Sequence, residues 1–253
     1  MRARALSGIR AVCFDLDNTL WDVWPVIQRA EQAMYDFLAE RYPRVVAALT
    51  LEMMRKAREE TAAAHPEMRH DFTFLRKQTL REHAREFGYA EQMVDEAFEA
   101  FIRARNEVEL YDDVLPGLER LRTSYRLFSA TNGNADLHVI GIAHYFERSV
   151  AARQVGALKP DPVLFHKAIE GTGLKPEEVV YVGDDPELDV EGARRAGMQA
   201  IWMNRERVEW PAALEPPAAE VATLEELAEM LPTRASGGAR SGLRGGQAGR
   251  LLE

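Results

Sequence analysis

The chain has one cysteine, Cys13, and five lysines, at positions 56, 77, 159, 167 and 175, in 253 residues. A single thiol excludes an internal disulfide and any metal site built from several thiolates. Its neighbours Ala11, Val12 and Phe14 make it a small core residue of a buried strand. No run reaches the roughly 18 apolar residues of a membrane span. Near the N-terminus Asp15 and Asp17 interrupt the apolar stretch, so neither a signal peptide nor a membrane anchor is expected, and a cytoplasmic location is. Positive charge is short as well. The net charge of -9 gives no general attraction for nucleic acid or anionic lipid, which removes both as expected partners. Any bound phosphate has to be met by a local cation or a metal.

What is present is an ordinary globular composition, 46% hydrophobic and 29% charged. The length suffices for one core with a smaller domain inserted into it. Ile9 to Phe14 is a short apolar run ending in charge, the pattern of a strand buried on both faces. From Pro25 to Arg41 the apolar residues Val26, Ala30, Ala33, Met34, Phe37 and Leu38 recur at helical spacing. Thr50 is placed to cap a helix through Leu51 and Met54, Phe72 to Phe87 predicts another that Gly88 ends, and Val94 to Ile102 predicts a fourth.

Beyond Leu110 strands and helices alternate: strands at Tyr125 to Ala130, Ser149 to Ala152, Val179 to Val182 and Gln199 to Met203, with a last helix at Leu224 to Leu231. The expected fold class is α/β, a Rossmann-like parallel sheet with helices on both faces and an all-helical insertion. Residues 1–21 and 109–232 form the sheet core and 22–108 the helical insertion. The Gly-, Ser- and Arg-rich stretch 233–253 lacks the apolar surface to pack and is expected to be disordered.

Ligands of open parallel sheets sit at the carboxyl ends of the strands. The first strand ends in Asp15 and Asp17, the second in Thr131-Asn132-Gly133, the third leads to Lys159-Pro160, and the fourth ends in Gly183-Asp184-Asp185 with Asp189 a turn later. Each alone has a structural explanation, since aspartate caps helices and Asn-Gly makes turns. Together they gather several carboxylates at one sheet edge, where repulsion favours a bound cation, and oxygen ligands without a His or Cys cluster point to Mg2+. Thr131, the Asn132 and Gly133 amides and Lys159 supply donors and charge for a phosphoryl group. In the insertion, His70, Asp71 and Arg76 are candidates for recognising a polyol or a heteroaromatic ring, and Trp21 and Trp24 for lining the entrance. The competing expectation is that His70-Asp71 caps a helix and the tryptophans pack the insertion onto the core.

These motifs resemble those of the haloacid dehalogenase superfamily of hydrolases, in order: Asp15, Asp17 and Thr19; Thr131; Lys159; then Asp184, Asp185 and Asp189. The resemblance implies that Asp15 is the nucleophile of an aspartyl-phosphate intermediate, Asp17 the general acid and base, and Thr131 and Lys159 catalytic. Substrate contacts are expected at Thr131, Asn132, Gly133, Lys159 and, in the insertion, His70. Mg2+ would be held by Asp15, the Asp17 carbonyl and Asp184, while Asp185 and Asp189 orient waters or Lys159. The helical insertion resembles the family's mobile cap. Asp17 also favours phosphate over carbon–halogen chemistry, because dehalogenation resembles a variant without an aspartate two positions after the nucleophile.

A finer resemblance is to bacterial phosphatases of FMN and of the phosphorylated ribitylamino-uracil precursor of riboflavin. It is carried by Pro25-Val26-Ile27, His70-Asp71-x-Thr73, Thr131-Asn132-Gly133-Asn134-Ala135, Val182-Gly183-Asp184-Asp185 and Gly197-Met198-Gln199-Ala200. The expected partner is a small phosphorylated metabolite. Two alternatives share the motifs: a phosphomutase of the same superfamily, and a non-catalytic phosphorylation switch.

Overall fold

The computed structural model describes residues 6–231, so the stretch 233–253 lies outside the described residues. The chain opens with strand β1 (Ala11–Phe14). Five helices follow: α1 (Val23–Arg41), α2 (Pro43–Ala48), α3 (Leu51–Ala64), α4 (Phe72–Glu86) and α5 (Gln92–Arg105). The remainder alternates: α6 (Val114–Arg122), β2 (Arg126–Thr131), α7 (Leu137–Ile140), β3 (Arg148–Ala151), α8 (Ala152–Val155), α9 (Pro162–Ile169), β4 (Val179–Gly183), α10 (Gly192–Arg195), β5 (Gln199–Met203), β6 (Ala219–Val221) and α11 (Leu224–Met230).

The six strands form one parallel sheet in the order β3-β2-β1-β4-β5-β6. Phe14 lies opposite Ser129 of β2 and Val182 of β4. The chain leaves β1 in both directions across the sheet, which puts the reversal of strand order, and the crevice it creates, at the end of β1. Alternate residues of each strand feed separate cores. Val12, Phe14, Val180, Val182 and Ile201 pack with α6 and α11, whereas Ala11, Cys13, Phe128, Tyr181 and Trp202 pack with α9 and α10. Cys13 is fully buried there, and burial pushes its thiol pKa up.

A third core belongs to the helices alone, built from Ala30, Met34, Leu38, Leu80, Val94, Ala97 and Phe101 among others. Its helices have local causes. Asp22 caps α1 by accepting from Trp24 N, Thr50 caps α3 by accepting from Met53 N, and Asp71 caps α4 by accepting from Phe74 N. Among the described residues no helix is long and apolar enough to cross a membrane.

Several elements differ from the sequence-based expectation. Val190, Ala193 and Ala196 recur at helical spacing up to Gly197, a pattern that predicts one helix, but the segment begins as a wide π-type turn, Pro186–Glu191, before α10. Helix α2 and edge strand β6 are too short for a periodic pattern to show, so the sequence does not predict them.

Candidate active site

Asp15 follows β1 directly, its amide donating to Val182 O at 2.8 Å, so the sheet ladder itself fixes where the carboxylate starts. The side chain is buried and its Oδ1 accepts from Lys159 Nζ at 2.5 Å. The same ammonium donates to Asp189 Oδ1 at 2.6 Å and to the Tyr181 hydroxyl oxygen at 3.2 Å. All three of its protons are thereby assigned. Tyr181 is locked in turn by donating to Ala130 O at 2.7 Å. Lys159 cannot drift, because Asn132 Oδ1 accepts from its amide at 2.8 Å and Asn132 Nδ2 donates to its carbonyl at 3.4 Å.

Asp189 uses its second oxygen to accept from Asp185 N at 2.9 Å. Asp185 caps the wide turn, with Oδ1 accepting from Glu187 N and Leu188 N, both at 2.8 Å. That turn brings Asp189 back over the end of β4, where Gly183 leaves the room: a Cβ there would collide with the Asp189 carboxylate. Asp184 stands beside them, its Oδ1 accepting from Thr19 Oγ1 at 3.4 Å.

Carboxylate oxygens of Asp15, Asp184 and Asp189 lie within 4.8 Å of one another. Burial, with repulsion from Asp189, pushes the Asp184 pKa up to about 7, against a smaller opposing pull from Lys159. Burial likewise raises Asp15, which Lys159 opposes and the carboxylates of Asp189 and Asp184 reinforce. Lys159 itself is held above the ordinary lysine value, since Asp15 and Asp189 outweigh the cost of burying its charge. The site therefore holds more negative charge than one lysine balances. Hard oxygen donors and this surplus fit a divalent cation such as Mg2+. Asp189 is engaged on both oxygens, which leaves Asp15 and Asp184 as the carboxylates able to hold it.

Across the crevice, Thr131 Oγ1 accepts from Gly133 N at 3.0 Å. Gly133 is where the second half of the site meets. A Cβ on it would lie 2.5 Å from Asp17 Oδ2 and 3.3 Å from both Thr131 Oγ1 and Arg105 Nη2. Asp17 accepts from Arg105 Nη2 on both oxygens, at 2.7 and 2.8 Å, and Trp21 Nε1 donates to its Oδ1 at 2.8 Å. Arg105, the last residue of α5, is 1% exposed, and its buried Nη1 has no partner among the described residues.

The strand-end candidates Asp15, Asp17, Thr131, Asn132, Gly133, Lys159 and Asp184 thus lie around one crevice. The helical candidates divide. Asp71 is the cap of α4, Trp21 is wholly buried under Asp17, and Trp24 is 60% exposed. His70 lies half-buried in the turn before α4 and carries none of these hydrogen bonds, although Thr73 Oγ1, nearby, accepts from Asn134 Nδ2 at 3.3 Å. Arg105 and Tyr181 join the site without being expected there. The signal in the sequence for Arg105 is its spacing: it continues the buried stripe Ala97 and Phe101 of α5, a place for an apolar side chain.

The family model of haloacid dehalogenase-like hydrolases matches residues 9–197. The chain belongs to that family. It is 31% identical over 207 residues to 5-amino-6-(5-phospho-D-ribitylamino)uracil phosphatase YigB of Escherichia coli, a match covering 80% of this chain and 87% of that one. It is 40% identical to phosphoserine phosphatase of Thermus thermophilus over 137 residues, 52% of this chain and 55% of the relative. Among solved structures, 2-haloacid dehalogenase from Pseudomonas syringae pv. Tomato superposes with a TM-score of 0.83 at 37% identity, covering 88% of this chain and 97% of that one. The family thus spans two chemistries among this chain's own neighbours, and the residues of the crevice have to separate them.

Proposed function

We propose that this hydrolase is a Mg2+-dependent phosphatase of small phosphorylated metabolites that works through an aspartyl-phosphate on Asp15. The observation that carries the reading is Lys159 Nζ bridging Asp15 at 2.5 Å and Asp189 at 2.6 Å beneath Asp184. It builds a buried nucleophile next to a cation site, with Thr131 and Gly133 facing them. Asp17 selects phosphate chemistry over dehalogenation, because ester cleavage needs a group that protonates the leaving oxygen and carbon–halogen cleavage does not.

Asp15 attacks phosphorus through Oδ2, since Lys159 holds Oδ1. The Asp15–phosphorus bond forms as the ester oxygen leaves with a proton from Asp17. Asp17 then takes a proton from water, which attacks the same phosphorus and releases inorganic phosphate and the free Asp15 carboxylate. Thr131 Oγ1 and the Asn132 and Gly133 amides hold the equatorial oxygens through the transfer. An Asp15 oxygen, the Asp17 carbonyl and Asp184 would hold Mg2+, which would supply positive charge to offset the phosphoryl group.

In this reading the helices of residues 22–108 act as a mobile cap over a core of residues 1–21 and 109–232, and the enzyme works in the cytoplasm. FMN or a phosphorylated ribitylamino-uracil is a candidate substrate, supported by the likeness to YigB. A phosphate-release screen over nucleotides, sugar phosphates and FMN, with Mg2+ and with EDTA, tests the reading. Metal-dependent release that disappears in Asp15→Asn is expected. Release that survives Asp15→Asn contradicts it, and turnover that conserves total organic phosphate identifies a mutase instead.

A further inference from the structure

The helical unit carries a concentration of positive charge that the chemistry above does not use. Glu31 of α1 is buried, and three arginines converge on it: Arg55 Nε at 2.5 Å, Arg76 Nη2 at 3.5 Å and Arg58 Nη2 at 3.9 Å. One carboxylate faces three guanidinium groups in a cleft between α1, α3 and α4. That single carboxylate is shared by all three cations, of which Arg76 is buried and Arg58 is partly exposed, with its side chain at 36%. Arg76 is 7% exposed, with its guanidinium carbon 3.6 Å from the centre of the Phe101 ring and a long contact to Glu31. The Nε of Arg58 is buried and has no partner among the described residues.

Burying an unbalanced cation is costly, and chains avoid it unless something else brings the missing charge. Burial, and then repulsion from Arg58, lower the Arg76 pKa to about 9, with Arg105 adding to the repulsion and Glu31 opposing it. Arg105 connects this cluster to the crevice. Phe101, under Arg76, precedes Arg105 by one turn of α5, about 6 Å along the helix axis, and Arg105 grips Asp17.

We propose that the Arg58–Arg76 cluster is a subsite for a second anionic group of the substrate, a carboxylate or a second phosphate. The substrate is then a phosphomonoester whose far end carries negative charge. The inference rests on the phosphatase reading for the near end of the substrate and on the arginine cluster alone for the far end. It ranks anionic-tailed esters above FMN and ribitylamino-uracil phosphates, whose far ends are uncharged ring systems.

The test compares kcat/KM for 6-phosphogluconate with that for sorbitol 6-phosphate, which differ in one terminal carboxylate, and for fructose 1,6-bisphosphate with fructose 6-phosphate. The wild-type protein is expected to favour at least one anionic-tailed member by about tenfold, the size of one charge-assisted hydrogen bond. The larger of the two ratios identifies carboxylate or phosphate as the group recognised. The preference should fall towards unity in Arg76→Gln and in Arg58→Gln, and part of it should return in Arg76→Lys. Should Arg76→Gln not fold, Arg58→Gln, at a more exposed position, decides alone. Equal kcat/KM within both pairs, or a preference that survives both glutamine variants, overturns the proposal. If no ester is hydrolysed at all, the phosphatase reading has failed separately. In that case a rise in Tm with malonate that Arg58→Gln abolishes supports the subsite, and no rise overturns it.

Discussion

Arg105 sets a single nitrogen, Nη2, between the two carboxylate oxygens of Asp17, 2.7 Å from one and 2.8 Å from the other. The arginine comes from the helical unit and the aspartate from the sheet edge, so the pair ties the two together beside the proposed nucleophile. With both oxygens engaged, Asp17 has to release one before it can deliver a proton. Among the described residues the buried Nη1 of Arg105 has no hydrogen-bond partner.

Arg105→Gln is expected to lower kcat/KM about 10- to 100-fold, less than the roughly 10²- to 10⁴-fold expected of Asp17→Asn, the loss of the general acid itself. It should also cost about 1–3 kcal/mol of stability, because Asp17 is left with Trp21 as its remaining side-chain donor. Steady-state kinetics beside urea unfolding check both figures. Unchanged kcat/KM would separate Arg105 from the chemistry.

Gly133→Ala puts a methyl group 2.5 Å from Asp17 Oδ2, inside contact distance, so Asp17 has to move away from Thr131 and Arg105. Activity is expected to fall by about 10²-fold, the order of loss that follows a misplacement near 1 Å. A variant with normal kcat and unchanged Tm would show that the crevice tolerates the methyl group.

Lys159→Met removes the cation shared by Asp15 and Asp189 and leaves both carboxylates buried. A loss of about 3–5 kcal/mol is expected, the usual cost of stripping one partner from a buried ion pair. Chemical denaturation measures it, and a loss below about 1 kcal/mol would contradict the pairing.

Asp184 gives the metal-free protein a pH signature. Its folded pKa of about 7 lies above the ordinary aspartate value of 3.8, so between these limits the folded chain holds a proton that the unfolded chain releases. The stabilisation from this group is full below the lower limit and is lost as pH rises through about 7. Mg2+ competes with that proton. The rise in Tm on adding Mg2+ should be larger at about pH 8 than at about pH 5.5, read by thermal melts at both. An equal rise at both would remove Asp184 from the metal site.

Much of the fold and of the crevice is legible in the amino-acid sequence. β1 and β4 are apolar runs buried on both faces, and their ends carry Asp15 and Asp184, so parallel topology alone collects those residues. The capping residues Thr50 and Asp71 mark the starts of α3 and α4. Arg105 is legible only as an oddly placed charge on the buried stripe of α5; its role is not, because its partner Asp17 is 88 positions away and only the packing of α5 over the crevice joins them. Tyr181 is hidden for another reason: inside Val179–Gly183 it reads as one more core aromatic, and its hydroxyl gains meaning only once Lys159 lies 3.2 Å away. The charge excess around Glu31 is only partly visible: Arg76 stands out in the sequence as a candidate, but Arg55 and Arg58 come from another helix, look like surface residues, and meet it only in the fold.

The most direct measurement is to quench the enzyme with borohydride during turnover of an aryl phosphate with Mg2+ and map the product by peptide mass spectrometry. An acyl phosphate on Asp15 is reduced to homoserine at that position. Homoserine at position 15 that requires both substrate and Mg2+ is the predicted result. Phosphate release without any modification of Asp15, or modification at another carboxylate, would contradict Asp15 as the nucleophile.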